Sequence, residues 1–269
     1  MHWRQHHEDN RVAWNEGAEA YEKDIEARIE FLRNGGTNFE PPEYAYLEGL
    51  ADWCDTALHL QCAGGTDTLS LWNLGAKQVV GVDISDRMIE VARRKSEALG
   101  APATWIRADV FEVPHELDGT ADLVYTGRGA ICWLADLNRW ASVVARLLKP
   151  GGKLYLFEGH PFMNIWDLEA SEWKLDRTYG DYFSAETLTE QGWSPTYIGD
   201  LGKPVEEHAP KHERLWNLGQ VVNAVLGSGL ELLKLEEHSD AFWTPMPNMP
   251  EEQLSKVPQT FSLLARKKA

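Results

Sequence analysis

The sequence lacks the features that mark several large classes of protein. It has only three cysteines, Cys54, Cys62 and Cys132, and no CxxC pair, so we expect neither a disulfide framework nor a metal site, and a reducing cytoplasm fits best. No stretch approaches the ~18 consecutive apolar residues that a membrane helix needs, and the first ten residues are too polar for a signal peptide. We therefore expect a cytoplasmic protein without a membrane segment.

Positive charge is also scarce. The chain has 26 Lys and Arg against 42 Asp and Glu, which gives a formal net charge of −16 over 269 residues. Such a surface repels a polyanion over long distances, so we expect no nucleic-acid partner. Hydrophobic residues make up 43% of the chain, which excludes a disordered protein and provides for a buried core.

Two helical segments are predicted at the N-terminus. Apolar residues recur at helical spacing over Asp9–Arg33, and Gly35 and Gly36 end that pattern. A second helix is predicted around Glu43–Cys54. We expect residues 1–55 to form a helical cap.

From residue 56 onward, short apolar runs alternate with helical patterns, as in βαβ units. The runs are almost wholly apolar, which favours a parallel sheet that is covered on both faces. The predicted strands are Ala57–Leu60, Val79–Val82, Thr104–Ile106, Leu123–Tyr125 and Leu154–Phe157. The predicted helices are Thr68–Leu74, Asp86–Leu99 and Leu137–Leu148.

Local signals predict how two of these helices begin or end. Ser85 is a candidate N-cap and Gly100 a candidate stop for the helix over Asp86–Leu99. The segment Lys149–Gly152 predicts a turn between the third helix and the fifth strand.

The alternation is interrupted after Phe162. Residues 163–214 are rich in Trp, Tyr, Gly, Pro and acids, with faint strand patterns at Tyr179–Phe183 and Thr196–Ile198. An insertion of roughly fifty residues is longer than an ordinary loop and favours a substrate lid, the alternative being a flap without a ligand. The sheet pattern then resumes with a helix over Leu215–Leu226 and strands near Leu230–Glu237 and Phe261–Ala265.

The ends of the first two strands predict a nucleoside site. The small-residue turn Ala63-Gly64-Gly65 lets backbone N–H groups approach a ligand, and Asp83 at the tip of the second strand can accept both hydroxyls of a ribose. The dinucleotide fingerprint G-x-G-x-x-G is absent. Asp67 is ill suited to a phosphate but suits an ammonium or a sulfonium. The pattern therefore disfavours a nicotinamide-dependent oxidoreductase.

Five segments, in order along the chain, resemble motifs of the class I S-adenosylmethionine-dependent methyltransferases. They are Leu58–Gly65, Gly81–Asp83, Ala108–Val110, Ala121–Val124 and Leu147–Leu154. The first motif departs from the usual pattern, because His59, Gln61 and Ala63 stand where the family usually has an acid and two glycines. Its form, Leu-Gln-Cys-x-x-Gly-x-Asp-Thr, resembles that of a subgroup of bacterial small-molecule-type members.

The resemblance implies a Rossmann-like, seven-stranded, mostly parallel α/β sheet. It implies that residues 56–269 form the methyltransferase domain, with a lid inserted after the fifth strand and Phe261–Ala265 as an antiparallel strand next to the fifth. It also implies S-adenosyl-L-methionine as the cofactor and a small molecule as the methyl acceptor. The acceptor atom and the oligomeric state stay open.

The resemblance assigns cofactor contacts residue by residue. Gly65 and its neighbours would face the methionine part, Asp83 the ribose diol and Asp109 the adenine amino group. Ile84 and Met88 would pack on the adenine, while Thr126, Gly127 and Tyr21 would approach the sulfonium. Structural alternatives are a cap or surface acid for Asp83, a turn residue for Asp109 and helix packing for Tyr21. The full implied set is Tyr21, Gln61, Ala63, Gly65, Asp67, Thr68, Asp83, Ile84, Met88, Asp109, Val110, Thr126 and Gly127.

In-line methyl transfer needs alignment and exclusion of water, and it needs a base only when the acceptor must lose a proton. His160, directly after the fifth strand, is the candidate catalytic base, and its alternative role is to fix the loop beside Pro161. Glu158 would either orient His160 or be structural. Arg128 would pair with an acidic group of the substrate or neutralise nearby acids.

Most of the twelve tryptophans are expected in the core, but Trp133, Trp173 and Trp193 are candidate walls of the substrate site. The pair His208 and His212 is not a metal site, because Pro210 between them breaks a helix. His2, His6 and His7 are expected in a frayed, solvated terminus.

Two functional hypotheses follow. The first is an S-adenosylmethionine-dependent methyltransferase. The second is a catalytically inactive regulatory or partner protein that binds the same cofactor. Release of S-adenosylhomocysteine in a substrate screen distinguishes them.

Overall fold

The computed structural model describes residues 2–193, 198–244 and 246–269. Its helices are α1 (His2–Lys23), α2 (Ile25–Arg33), α3 (Pro41–Leu47), α4 (Thr66–Asn73), α5 (Asp86–Leu99), α6 (Leu137–Leu147), α7 (Leu218–Gly227) and α8 (Glu251–Leu254). Its strands are β1 (Thr56–Leu60), β2 (Gln78–Asp83), β3 (Ala103–Arg107), β4 (Ala121–Gly127), β5 (Leu148–Gly159), β6 (Leu188–Gln191), β7 (Pro210–Glu213), β8 (Glu231–His238) and β9 (Thr260–Arg266).

Seven of these strands form one sheet in the order β3-β2-β1-β4-β5-β9-β8. Strands β1 to β5 are parallel, and β9 runs antiparallel to both β5 and β8. The expected Rossmann-like, mostly parallel sheet is therefore confirmed, including the antiparallel strand beside the fifth. The carboxyl ends of β1, β2, β4 and β5 share one edge of the sheet, where open α/β folds bind ligands.

Apolar residues pack against both faces of this sheet. One cluster includes Trp140 of α6 and Val221 of α7, and the other includes Leu47 of α3 and Leu71 of α4. Burial on both faces explains why the strands are almost continuously apolar in sequence. The apolar layers on the two faces support the carboxyl edge of the sheet.

Helix α5 forms where local signals predict it. Ser85 Oγ accepts a hydrogen bond from the N–H of Met88, which satisfies one of the unpaired donors at the helix start. Gly100 ends the helix in the left-handed conformation, at φ +63°.

The N-terminal region differs from the expectation in two respects. The first predicted helix begins at His2 and is divided at Asp24 into α1 and α2. The second is shorter, because α3 ends at Leu47 and only a 3₁₀ turn over Leu50–Asp52 follows.

Three further expectations are corrected. Lys149–Gly152 lies within β5, whose pairing with β4 shifts register between Ala121 and Leu123. Tyr179–Phe183 forms turns and no strand, and the antiparallel pair in the insertion is β6–β7. Of the pattern at Thr196–Ile198, residues 196 and 197 lie outside the described residues. Within the described ranges, no helix combines the length and the apolar character that a membrane span requires.

Candidate functional site

A cavity of about 420 Å³ lies at the carboxyl edge of the sheet, beneath α1. The loop after β1, the end of β2 and the loop after β4 form its floor. Side chains from α1 and from the loop that follows β8 form its cover. The cavity therefore lies where the sequence predicts a nucleoside site.

The loop after β1 has an unusual backbone. Gln61, Ala63 and Gly65 all have positive φ values, of +58°, +44° and +76°. A Cβ on Gly65 would lie 2.6 Å from the side chains of Ala92 and Trp105, so this residue must be glycine. Residues 61–66 of this loop line the cavity.

Asp83 lies at the tip of β2 with only 9% of its surface exposed. Its Oδ1 accepts the N–H of Ser85 and its Oδ2 the N–H of Ala63, both at 2.8 Å. Burial raises the pKa of Asp83 to about 6, although these N–H donors lower it. Each carboxylate oxygen retains a second lone pair for a ligand hydroxyl.

Lys95 of α5 also holds the loop after β1 through hydrogen bonds. Its Nζ donates to the carbonyl of Gly64 and to Thr66 Oγ1, both at 2.8 Å. Burial lowers the pKa of Lys95 to about 8. Sequence reasoning missed this residue, although a lysine on the apolar face of α5 is an unusual feature that could have identified it.

His59 lines the cavity at the position where the family usually has an acid. Its Nδ1 lies 2.9 Å from Thr68 Oγ1, and burial lowers its pKa to about 4, so the ring is neutral at neutral pH. Thr68 itself is fully buried behind His59. Asp67 lines the cavity and accepts a hydrogen bond from Asn38 Nδ2 at 2.7 Å.

The predicted adenine contacts divide into two groups. Ile84 and Val110 line the cavity, whereas Met88 is fully buried and does not. Asp109 Oδ1 accepts the N–H of Phe111 at 2.8 Å, and its Oδ2 lies 2.7 Å from Nδ1 of His7.

The expectation that His7 lies in a frayed terminus is wrong. It belongs to α1, is 5% exposed and lines the cavity. Its Nε2 accepts the N–H of Ala135 at 3.3 Å, so the Nδ1 proton is donated to Asp109. His7 therefore lies between Asp109 and the cavity.

The loop after β4 is held by a buried carboxylate. Glu158 accepts the N–H groups of Gly129 and Ala130 at 2.7 Å and of Ile131 at 3.0 Å. Burial raises the pKa of Glu158 to about 7, against the effect of these donors. Of the two roles considered for Glu158, the structure shows the structural one.

Gln61 connects this loop to the loop after β1. Its Nε2 donates to the carbonyl of Ala130 at 2.7 Å. Its Oε1 is buried and has no hydrogen-bond partner among the described residues. An orphaned acceptor in a cavity wall suits a ligand donor.

Arg128 and His160 were the candidate substrate and catalytic groups. The Nη2 of Arg128 lies 2.8 Å from Glu43 and 3.5 Å from Glu40, so it neutralises nearby acids. His160 Nδ1 accepts the N–H of Phe162, and its Nε2 lies 2.8 Å from Glu237. His160 therefore fixes its loop and does not line the cavity.

The three tryptophans that were candidate walls of the substrate site lie in different places. Trp133 lines the cavity beside Trp14 of α1. Trp193 lies behind both and donates Nε1–H to the carbonyl of Ala13 at 3.1 Å. Trp173 packs in a separate methionine-rich cluster.

Sequence reasoning missed Phe242 and Trp243, which line the cavity from the loop after β8. Of the other predicted contacts, Tyr21, Gln61, Ala63, Gly65 and Gly127 also line the cavity, whereas Thr126 is fully buried.

The insertion packs on the outer side of α1. Asn10 exchanges two hydrogen bonds with the backbone of His212 in β7, and Glu16 binds Lys203 and His208. None of its described residues between 163 and 214 lines the cavity. Among the described residues, no group of three or more His, Cys, Asp or Glu side chains is arranged to hold a metal ion.

Comparison with known proteins shows a similarity over the first part of the sheet. Residues 57–152 match the family model described as "Methyltransferase domain".

Two curated relatives match part of the chain. A demethylmenaquinone methyltransferase from Thermus thermophilus is 34% identical over 105 residues, which cover 38% of this chain and 47% of that protein. A 2-phytyl-1,4-naphtoquinone methyltransferase from Trichormus variabilis is 31% identical over 126 residues, which cover 45% of this chain and 54% of that protein. The chain thus spans about half the length of these relatives.

A solved structure covers more of the fold. An S-adenosylmethionine-dependent methyltransferase from Mesorhizobium loti aligns with a TM-score of 0.57 at 22% identity, over 84% of this chain and 96% of that one. The resemblance to S-adenosylmethionine-dependent methyltransferases is thereby confirmed for the fold. The subgroup with the Leu-Gln-Cys motif stays a prediction.

The cavity fits S-adenosyl-L-methionine. The carboxylate of Asp83 suits a ribose diol, and Ile84 and Val110 offer apolar surface to a base. The loop around Gly65, where a Cβ would not fit, lets the backbone approach the amino-acid part.

Proposed function

We propose that the protein is an S-adenosylmethionine-dependent methyltransferase that acts on a small-molecule acceptor by in-line methyl transfer. The observation that carries the proposal is the position of Asp83. Its carboxylate faces a cavity at the carboxyl edge of the sheet, directly beside the left-handed loop of a methyltransferase domain.

Cofactor binding is assigned to the residues around that loop. Asp83 accepts the ribose hydroxyls, while Gln61, Ala63 and Gly65 present backbone and amide groups to the amino-acid part. Asp67 offers negative charge near the same end. The other assigned contacts are Tyr21, Ile84, Val110 and Gly127. Thr68, Met88, Asp109 and Thr126 support this set from behind the cavity wall.

When bound, the cofactor supplies an activated methyl group on a sulfonium. The chain contributes alignment and the exclusion of water. Glu158 and Gln61 hold the loop after β4 in one position, and α1 covers the cavity with Trp14. His160 has no role as a base in this proposal, because both of its ring nitrogens are engaged away from the cavity.

The names of the relatives support a small acceptor. Demethylmenaquinone and 2-phytyl-1,4-naphtoquinone are both small molecules. We divide the chain into a cap, residues 1–55, and the methyltransferase domain, residues 56–269. The insertion at residues 163–214, which was predicted as a lid, packs behind α1, and none of its described residues lines the cavity.

A screen of hydroxylated and amine-bearing small molecules tests the proposal through release of S-adenosylhomocysteine. We expect turnover with the parent protein and loss of most activity in Asp83→Ala. Asp55→Ala is the matched control, because the Asp55 side chain is exposed, pairs with Lys77 and does not line the cavity. Cofactor binding without turnover for any acceptor would favour an inactive regulatory or partner protein instead.

A further inference from the structure

One side of the cavity is not explained by the proposed cofactor contacts. It lies at the end of β4 and consists of Asn38, Arg128, Gly129, Phe242 and Trp243. Asn38 comes from the loop before α3, and Phe242 and Trp243 come from the loop after β8. Three distant parts of the chain therefore meet at a single wall.

Phe242 and the loop that carries it are held by several contacts. The ring of Phe242 lies 6.0 Å from that of Phe157 in β5 and 5.8 Å from the guanidinium carbon of Arg128. Its loop is held by Thr260 Oγ1, which donates to the carbonyl of Asp240 at 2.7 Å, and by Met246 and Met249, which are buried against Met163. Trp243 is 42% exposed and lines the cavity, so its indole is accessible to a ligand.

The charge on the cavity wall disfavours an anion. Among the described residues, the Lys and Arg side chains that line it are Arg28, Lys95 and Arg128. Arg28 pairs with Asp24 at 3.2 Å, Arg128 pairs with Glu43, and Lys95 donates to the loop after β1. Among the described residues, the Lys or Arg side chain at the wall around Phe242 is Arg128, so a carboxylate or phosphate on an acceptor bound there would lose its hydration without gaining an unpaired cation.

We propose that Phe242 and Trp243 form the binding wall for the methyl acceptor and that this acceptor is a flat, uncharged molecule. The inference rests on the proposed function, since it assigns the acceptor side of the same cavity. Aromatic faces bind flat rings through stacked or edge contacts, and the neutralised Arg128 leaves this end of the cavity without a site for an anion.

The test is calorimetric binding to the protein saturated with S-adenosylhomocysteine. The probes are a naphthol, the hydroxynaphthoic acid that adds a carboxylate, and the saturated decalol. We expect the naphthol to bind at least about tenfold more tightly than either of the other two. In Phe242→Ala and Trp243→Ala, naphthol binding should weaken about tenfold, while S-adenosylhomocysteine binding stays within about twofold.

Phe31→Ala is the matched control, because Phe31 is an exposed aromatic residue on α2 that does not line the cavity. Equal or tighter binding of the acid or the decalol, no binding of the naphthol, or unchanged naphthol binding in both variants would overturn the inference alone. Failure of the parent to bind S-adenosylhomocysteine would overturn the proposed function, and this inference with it.

Discussion

The loop after β1 holds two non-glycine residues in a conformation that favours glycine. For Gln61 and Ala63 the left-handed conformation costs on the order of 1–2 kcal/mol each. Gln61 recovers part of this cost through the hydrogen bond from its side chain to Ala130. Ala63 has no side-chain hydrogen bond that offsets its strain.

Ala63→Gly should therefore raise the free energy of unfolding by up to about 1 kcal/mol, because relief of strain outweighs the entropy of the added glycine. Urea denaturation near neutral pH measures the change. The matched control is Ala27→Gly on the exposed face of α2, which should lower stability by about 0.5–1 kcal/mol. An equal loss in both variants would show that position 63 is unstrained.

The carboxyl group of Asp83 should make cofactor binding depend on pH. Burial raises its pKa to about 6 in the free protein, and the ribose hydroxyls donate best to the ionised form. Binding should therefore weaken by up to about tenfold per pH unit as the pH falls below about 6. Calorimetry with S-adenosylmethionine between pH 5 and pH 8 should show this slope in the parent and a flat profile in Asp83→Asn. A slope that persists in the variant would assign the titration to another group.

At the scale of elements, the end of β5 holds the loop after β4 through a buried carboxylate. Glu158 accepts three backbone N–H groups, yet burial still raises its pKa to about 7. A folded-state pKa above the unfolded value means that the group favours folding at low pH. That contribution is lost as the pH rises through about 7.

Comparison of the parent with Glu158→Gln isolates this effect. From about pH 4.5 to pH 7 the parent should lose stability relative to the variant, by roughly 3 kcal/mol at most. Urea unfolding of both proteins at pH 5 and at pH 8 gives the difference in the free energy of unfolding between parent and variant at each pH. If the difference between the proteins is the same at both pH values, Glu158 does not titrate in this range.

The elements that sequence patterns predicted well are those buried in the sheet. Strands β1, β2, β4 and β5 are buried over most of their length, and helix α5 buries one face, so their positions follow from burial. The antiparallel pair β6–β7 has no such pattern, since Leu188–Gln191 and Pro210–Glu213 are largely polar, and β7 packs on α1. Because the residues of β6 and β7 are largely polar, hydrophobic patterning does not predict these two strands.

The site was predictable only where it is local in sequence. Asp83 and the loop around Gly65 lie at strand ends, where a motif of a few residues fixes the geometry. His7 and Phe242 reach the cavity from α1 and the loop after β8, and no local pattern indicates such contacts, whereas Lys95 stands out only as a lysine on the apolar face of α5. The expectation for His160 followed from its place after β5, but its bond to Glu237 on β8 directs the ring away from the cavity.

At the scale of the whole molecule, α1 links the parts of the site. It pairs His7 with Asp109 at one end, and Asn15 Oδ1 accepts from Ser85 and Arg87 at the start of α5. Its opposite side binds the insertion: Asn10 accepts the N–H of His212 in β7, and Glu16 accepts the N–H of Ala209 just before β7. Helix α1, which covers the cavity, is therefore held both by residues of the sheet domain and by the insertion.

The central claim is that this cavity binds S-adenosylmethionine with the ribose at Asp83. The most direct test is a calorimetric titration of S-adenosylmethionine into the parent and into Asp83→Ala at pH 7.5, with circular dichroism to show that both are folded. The account predicts one site per chain in the parent and binding weaker by about 1.5–3 kcal/mol in the variant, or roughly ten- to hundredfold. No binding to the parent, or equal affinity in the two folded proteins, would contradict it.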